Sequence, residues 1–426
     1  MRQMLGSNLV MPVHVSESKF ADSDNRLRIL FIDGSEAPLF FGSAASLTYR
    51  GHEVFMLDTR AHNTSLIRES RKVIDVVTVE SEMGRADIRV VNFPLPYRGF
   101  ERIGLLVNLY EPLFELLDHI QPDVVVGYYY GNNSWWYFYP ILKKLDVPSV
   151  GVIYGIRGFW LPEFISFTHD YHEIFRGVLN IIHTATTSHL SDFVITSSTK
   201  YEKILRKIGV RHIATIPPTY VRIVSKVKQN IPEISNPFVL SLITISRRGN
   251  TEFDIASLRI LLSLARLMPN IKFVLAGSSM AELYQLCNKL NLSIPKNVIP
   301  LGFIRDTNAL SQLYEKASCV IHPWPVPWSW GTSIRIVESL FYGKAMVTTR
   351  SCASFLQGLI HGKHIILIND FSEYKEWITK VCFDDEFRKR IEAGAKEYYR
   401  TNLSQLIHGK RLEHFLINLV HMRSKK

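Results

Sequence analysis

The sequence has few cysteines and no pattern that would bind zinc. No two cysteines are spaced as CxxC, and all lie in the second half of the chain, at Cys287, Cys319, Cys352 and Cys382. Each falls in a stretch with helical or strand character, so we predict reduced thiols rather than disulfides. The histidines show no HExxH spacing, so we expect no metal site. No GxGxxG follows the opening apolar run, which disfavours a dinucleotide oxidoreductase, and we expect no cofactor requirement.

Long apolar segments are also lacking. No stretch approaches the roughly 18 uninterrupted apolar residues of a membrane-spanning helix. The first 26 residues form a polar leader without the apolar centre of a secretion signal. We therefore predict a cytoplasmic protein, with association at the membrane periphery left open.

Acidic residues are the minority among the charged side chains. Lysine and arginine number 50 against 39 acidic residues, a formal net charge of +11. This surplus favours anionic partners, but no zinc finger, RNA-binding signature or dense basic block points to nucleic acid, and we predict that none is bound. An anionic membrane surface remains an alternative, because basic residues flank the apolar face of the last predicted helix, at Lys410, Arg411, Arg423, Lys425 and Lys426.

Compact apolar runs alternate with helix-like segments along most of the 426 residues. A chain of this length exceeds what one hydrophobic core usually supports, which predicts two domains. In the first half, apolar runs occur at 27–33, 54–57, 123–130, 149–156, 192–198 and 211–218. Continuous apolar strands separated by helices indicate a parallel sheet that is covered on both faces.

A second alternating series begins at residue 238, after a segment rich in Pro, Asn and Lys. The predicted fold class is α/β, with two Rossmann-like doubly wound domains that face a cleft. The predicted divisions are a leader (1–26), a first domain (27–218), a linker (219–237), a second domain (238–400) and a C-terminal helix (401–426). The apolar face of that helix would suit packing back on the first domain.

A loop of small residues, Gly331-Thr332-Ser333, directly precedes an apolar helix predicted from Ile334 to Tyr342. The backbone N–H groups and the dipole at such a helix start suit a diphosphate. Glu338 lies just over one turn into the helix, where its carboxylate can accept hydrogen bonds from ribose hydroxyls. The alternative is an ordinary capped helix with a solvated glutamate.

The segment GTSIRIVESLFYGKAMVTT (331–349) resembles the donor-binding signature of the GT-B glycosyltransferases, in the large retaining group of glycogen-synthase-like and mannosyltransferase-like enzymes. Further similar pieces occur in order along the chain: RGHEV, SDFVITSS, TIPPTY, FVLAG, NVIPLGF and DDEFRKRIEAGAKEYY. The resemblance implies the GT-B fold. It also implies transfer of a sugar from a nucleoside-diphosphate sugar to a hydroxyl acceptor, which would be a glycan, a glycolipid or a small molecule, with retention of configuration.

The same resemblance implies roles for individual residues. Glu338 matches the acid that binds the nucleotide ribose, and Gly331, Thr332 and Ser333 match the loop at the diphosphate. Arg247 or Arg248 matches the basic residue after the first strand of the second domain, with a catalytic part assigned to Arg247. Arg335 falls where many relatives carry a basic residue.

Acid–base candidates in the first domain are Asp33 and Glu36, which follow the opening strand. An inverting enzyme would need one of them as the base for the acceptor hydroxyl. A retaining enzyme could instead rely on the leaving diphosphate, stabilised by backbone groups and arginines. Asp33 could equally be a strand-end residue that bonds to the next turn.

Acceptor candidates lie past two other strands of the first domain. The aromatic cluster 128–139 contains Asn132 and Asn133, and aromatic faces stack on sugar rings. Core packing is the alternative for most of that cluster. Tyr154 stands where relatives often have a histidine, and Arg157 follows in the same loop.

Two departures from the family pattern keep other functions open. Trp330 replaces the acid that relatives place eight positions before the ribose-binding glutamate, and Tyr154 replaces the histidine. The alternatives are a degenerate GT-B subunit that binds a partner transferase, and a nucleotide-sugar epimerase on the same fold.

Overall fold

The structure is a computed structural model. It describes residues 25–32, 38–58, 74–92, 111, 113–128, 135–154, 171–224, 227–243, 252–325 and 333–424. Within these ranges the strands form two sheets, one of nine strands and one of six.

The first sheet is built mainly from the apolar runs of the first half. Its strands are β1 (Arg28–Ile32), β2 (Glu53–Asp58), β3 (Ile74–Ser81), β4 (Gly84–Asn92), β5 (Val124–Tyr128), β6 (Ser149–Ile153), β7 (Phe193–Thr196), β8 (Ile213–Thr215) and β9 (Arg222–Ile223). Their order is β8-β7-β6-β5-β1-β2-β4-β3-β9, with β1 parallel to both β2 and β5. The central strands are almost entirely buried, as a parallel sheet covered on both faces requires.

Helices cover this sheet. They are α1 (Pro38–Thr48), α2 (113–120), α3 (Trp135–Lys144), α4 (Tyr171–Leu190) and α5 (Thr199–Lys207). One side of the sheet packs on α1, and the other packs on residues of α2 and α3.

One edge of the first sheet is antiparallel, which the apolar runs do not predict. Strand β3 pairs antiparallel with β4 and with β9. The turn that joins β3 to β4 ends at Gly84, whose φ of 105° favours glycine. Strand β9 falls inside the segment predicted as linker, and Arg222 in it forms an ion pair with Glu80 in β3. The first sheet therefore extends beyond residue 218.

The second sheet is entirely parallel. Its strands are β10 (Phe238–Leu242), β11 (Lys272–Ala276), β12 (Val298–Gly302), β13 (Cys319–His322), β14 (Met346–Thr349) and β15 (Ile366–Ile368), in the order β12-β11-β10-β13-β14-β15. Its helices are α6 (Glu252–Leu267), α7 (Met280–Lys289), α8 (Thr307–Lys316), α9 (Ile334–Phe341), α10 (Arg350–Ala353), α11 (Glu373–Phe383) and α12 (Asp385–Tyr398). This strand order is that of the Rossmann fold. The predicted class, α/β with two Rossmann-like doubly wound domains, is confirmed.

The chain then returns to the first domain. A short π-helical turn, Tyr399–Leu403, leads into α13 (Gln405–Ser424), which packs against α1. Three leucines of α13 join the core beneath that helix, at Leu412, Leu416 and Leu419. The apolar face of α13 is thus used within the protein.

The C-terminal segment also forms hydrogen bonds with residues 217–220, which make up the crossover between the two domains. The Nδ1–H group of His408 donates to the Pro217 carbonyl oxygen at 2.8 Å, so its Nε2 accepts from the Ser43 hydroxyl at 2.9 Å. The Tyr220 carbonyl oxygen accepts from the Tyr399 hydroxyl at 2.9 Å and from Gln405 Nε2 at 3.0 Å. Residues 217–220 are therefore connected through His408 to helix α1 of the first domain, and through Tyr399 to the turn that follows the last helix of the second domain.

We expect His408 to make the protein less stable in mild acid. Burial lowers the pKa of His408 to about 4, whereas an unfolded histidine titrates near 6.5. Between these values the unfolded chain binds more protons, so stability is complete above about pH 6.5 and falls as the pH drops toward 4. From pH 7 to pH 5 this single group should cost about 2 kcal/mol.

The measurement is chemical unfolding at both pH values, for the wild-type protein and for His408→Gln. The variant should lose less stability on acidification, though not none, because burial also lowers the pKa of His322, to about 3. An identical loss in both proteins would show that His408 is not held neutral by the fold.

Candidate functional site

The second sheet has a reversal of strand order between β10 and β13. Ligands of doubly wound sheets bind at the carboxyl ends of strands at such a reversal. The segment that follows β10 carries Arg247 and Arg248, and the segment that follows β13 carries Gly331 and Thr332. These four residues lie outside the described residues, but the strands that lead to them are adjacent at this point.

The first sheet has the same kind of reversal, between β1 and β5. Asp33 and Glu36 follow β1, and Asn132 and Asn133 follow β5. These four, and Arg157 beyond β6, lie outside the described residues. Their catalytic and acceptor-binding roles stay predictions, supported by the adjacency of the two strands.

Helix α9 begins at the reversal in the second sheet and, like α11, has an N-cap serine that makes no side-chain cap hydrogen bond. Ser279 and Asp306 cap helices α7 and α8 through side-chain hydrogen bonds, and Thr349 caps α10. Ser333, at the same position of α9, makes no side-chain cap hydrogen bond. The geometry of a helix gives its first N–H groups no intrahelical acceptor, so the start of α9 suits an anionic ligand.

Glu338 lies in the middle of α9 and is buried, with 7% of its surface exposed. Its Oε1 accepts a hydrogen bond of 2.6 Å from the Tyr220 hydroxyl, which belongs to the crossover between the domains. Burial raises the pKa of Glu338, and this effect is opposed by its tyrosine neighbours Tyr220 and Tyr314 and by the charge of Arg335. Tyr314 is fully buried beside this carboxylate, and its ring stacks on that of Tyr342 with centroids 4.4 Å apart.

Arg335 lies near this carboxylate, and His322 lies near Arg335. Arg335 precedes Glu338 on α9, and burial lowers its pKa, opposed by Tyr314, Glu338 and Asp254. Arginine stays protonated in proteins even so. Burial and the nearby Arg335 charge hold the pKa of His322 at about 3, so this histidine at the end of β13 is neutral. Arg335 is therefore a cation that a diphosphate could meet at this edge of the sheet.

The last residues of the motif have a structural role. Gly343 ends α9 with a φ of 61°, and a Cβ atom there would lie only 2.1 Å from the Lys396 side chain. The ammonium group of Lys344 pairs with Glu392 of α12 at 2.7 Å. These two residues contribute to packing and ion pairing, and the predicted ligand contacts of the motif precede them in the sequence.

Tyr154 follows β6 and is buried, with 3% of its surface exposed. Its ring lies edge-on to that of Tyr128, with centroids 6.0 Å apart, and both belong to the core of the first domain. Burial raises the pKa of Tyr154 well above its usual value. Its predicted role in acceptor binding stays a prediction, and in this structure the side chain contributes to packing.

Sequence reasoning did not find the tyrosines that surround Glu338. Tyr220 is 118 residues away along the chain, and only the fold brings it to the carboxylate. The signal that could have found it is its place in TIPPTY, the piece of the family resemblance that marks the domain crossover.

Three other observations bear on the predicted absences. The four cysteines are free and buried. Within the described ranges there is no cluster of three or more His, Cys, Asp or Glu side chains that could hold a metal ion. Among the described residues, every helix is too short or too polar to span a membrane.

Known proteins resemble this chain both in sequence and in architecture. Residues 246–383, about a third of the chain, match the family model described as Glycosyl transferases group 1. No protein with a curated description matches the sequence. Three solved structures illustrate the fold, and each shares 12% to 17% of its residues with this chain.

HepE from Anabaena, in complex with UDP and glucose, is 17% identical to this chain, with a TM-score of 0.63. The match covers 92% of this chain and 99% of the HepE chain. A sucrose-phosphate synthase from Thermosynechococcus elongatus is 14% identical with a TM-score of 0.64 and the same coverage. A putative UDP-N-acetylglucosamine 2-epimerase from Listeria monocytogenes is 12% identical, with a TM-score of 0.56, and covers 92% of this chain and 96% of its own.

These matches confirm the resemblance drawn from the motif at 331–349. The family match covers α9 and the strands on either side of it, and the structural matches extend over both domains. The chain has the GT-B fold, and its second domain resembles the glycosyl transferases of group 1.

Proposed function

We propose that this protein is a glycosyltransferase that moves a sugar from a nucleoside-diphosphate sugar to a hydroxyl acceptor. The observation that carries the proposal is the buried Glu338 carboxylate on α9. It lies just over one turn from the start of the helix, where the N-cap residue Ser333 makes no side-chain hydrogen bond to the first N–H groups. This arrangement offers acceptors to the ribose hydroxyls and donors to the diphosphate. It lies inside the segment that matches the family.

The donor class follows from the chemistry of this site. A buried carboxylate, a helix N-terminus and a nearby arginine suit a ribose and a diphosphate together. One solved structure of the similar protein HepE contains UDP-glucose. UDP-glucose is therefore the first donor to test, and we propose a hexose as the transferred unit.

In the proposed reaction the acceptor hydroxyl oxygen forms a bond to the anomeric carbon of the sugar. The bond from that carbon to the diphosphate oxygen breaks, and its electron pair leaves with the diphosphate. Arg335 and the amides at the start of α9 stabilise this charge, together with Arg247 or Arg248. In the retaining course that we propose, the leaving diphosphate takes the acceptor proton. In an inverting course Asp33 or Glu36 would take it.

On the acceptor side, we propose that the first domain supplies the site, with Asn132, Asn133, Tyr154 and Arg157 as its candidate residues. A lipid-linked hydroxyl fits this proposal as well as a soluble one does. The apolar face of α13 packs on α1. Membrane contact would therefore have to use the basic residues near its end rather than that face.

Calorimetric titration with UDP-, GDP- and dTDP-sugars, followed by an assay for release of free sugar, tests this function. We expect at least one donor to bind at one site per chain and to be hydrolysed slowly when no acceptor is present. A nucleotide-sugar epimerase would instead yield the epimer of the sugar, and a degenerate subunit would release no sugar. Absence of binding by every donor would end the enzyme hypothesis.

A further inference from the structure

Tyr220 joins the domain crossover to the carboxylate of Glu338. Its side chain is buried, with 3% exposed, and its hydroxyl donates to Glu338 Oε1 at 2.6 Å. Its ring packs against those of Phe341 and Tyr342, with centroids 5.0 and 6.2 Å away. The ring is thus held on the end of α9, and the hydroxyl has a defined direction.

The backbone of Tyr220 is held equally firmly, from the other side. Its carbonyl oxygen accepts from the Tyr399 hydroxyl and from Gln405 Nε2. The neighbouring Arg222 donates to Asn308 of α8 at 3.3 Å. Hydrogen bonds therefore hold the crossover at this point, and the Tyr220 hydroxyl joins it to the Glu338 carboxylate.

We infer that Tyr220 is a positioning residue for the nucleotide: its hydroxyl fixes the Glu338 carboxylate so that the remaining acceptor positions of that group are available to the ribose hydroxyls. A carboxylate offers about four acceptor positions; this bond occupies one and the neighbouring Tyr314 hydroxyl can take a second, which leaves two for the ribose hydroxyls. The inference rests on the proposed function, because it assigns a task to the same site.

The groups around Glu338 determine what loss of the Tyr220 hydroxyl would do. Tyr314 of α8, Tyr342 after α9 and Arg335 of α9 also face the carboxylate. Asp254 of α6 and the neutral His322 of β13 lie near Arg335. Among these, Arg335 and the tyrosine hydroxyls favour the ionised carboxylate, while burial opposes it. Removal of one hydroxyl therefore raises the pKa of Glu338 and misplaces its oxygens.

A purely structural role for the same bond makes a different prediction. If the bond only ties the crossover to α9, its loss lowers stability and leaves the affinity for nucleotide and its pH dependence unchanged. Tyr399→Phe provides the matched control. It removes a hydroxyl that supports the same crossover but leaves the bond between Tyr220 and Glu338 in place.

The experiment is calorimetric titration of the full chain with UDP-glucose at several pH values between 6 and 8.5, for the wild-type protein, Tyr220→Phe and Tyr399→Phe. UDP-glucose is used because its diphosphate diester does not titrate in this range. We expect Tyr220→Phe to bind about tenfold more weakly at the highest pH. Where the pH is low enough for Glu338 to begin to take up a proton, the deficit should grow, because a raised pKa makes the variant take it up at a higher pH than the wild-type protein does.

Tyr399→Phe should bind within about twofold of the wild-type protein at every pH. In a Glu338→Gln background, Tyr220→Phe should add less than about twofold, since the two residues act through one carboxylate. Equal binding by Tyr220→Phe and the wild-type protein, or equal and pH-independent weakening in both tyrosine variants, would overturn the inference. Failure of the wild-type protein to bind any nucleotide-sugar would instead overturn the proposed function.

Discussion

Glu338→Gln is expected to weaken UDP-glucose binding by about 100-fold, because the two ribose hydrogen bonds that we propose to this charged acceptor would be replaced by bonds to a neutral amide. Glutamine keeps the size of the side chain, and it can still accept from the Tyr220 hydroxyl. The loss should therefore appear in affinity more than in stability. Calorimetric titration measures the first, and thermal unfolding measures the second.

Glu392→Gln is the matched control for this prediction. Glu392 is a second partly buried carboxylate of the same domain, and it pairs with Lys344 on the side of α9 that faces α12. Its replacement should change UDP-glucose affinity by less than about twofold. If Glu338→Gln bound as tightly as the wild-type protein, the assignment of the ribose site to α9 would be wrong even though the fold is right.

Leu416→Ala is expected to lower the free energy of unfolding by about 2–4 kcal/mol, because it opens a cavity in a closed core. Leu416 lies on α13 and has none of its surface exposed. It packs in the cluster that contains strands of the first sheet and helix α1. Urea unfolding followed by circular dichroism measures the effect.

Leu406→Ala, on the same helix, provides the comparison. Leu406 is 50% exposed, so its truncation should change stability by less than about 1 kcal/mol. Equal small effects of the two variants would show that α13 is not part of the core of the first domain in solution.

Most of the fold could be predicted because the parallel strands are short, continuous apolar runs between helices. The runs at 27–33 and 123–130 each contain a buried strand, and the two strands pair in the structure. The β3–β4 hairpin was not predicted, because its strands alternate polar and apolar residues, as in Arg85, Ala86, Asp87 and Ile88, and lack a continuous apolar run.

The candidate site likewise contains residues whose positions the sequence predicts and residues whose positions it does not. The relative positions of Ser333 and Glu338 could be predicted because they are the N-cap and a middle residue of one helix, where spacing along the sequence determines spacing in space. Tyr220 and Tyr314 could not, because they reach Glu338 through the packing of the crossover and of α8 on α9. Sequence spacing carries no information about contacts of that range.

Hydrogen exchange of the wild-type protein with and without UDP-glucose tests whether the start of α9 and the crossover hold the nucleotide. We expect the ligand to slow exchange of backbone amides at the start of α9, from Ser333 to Val337, and at Tyr220 on the crossover. Protection confined to the first domain, or no protection at any amide at a ligand concentration that saturates binding, would contradict this expectation.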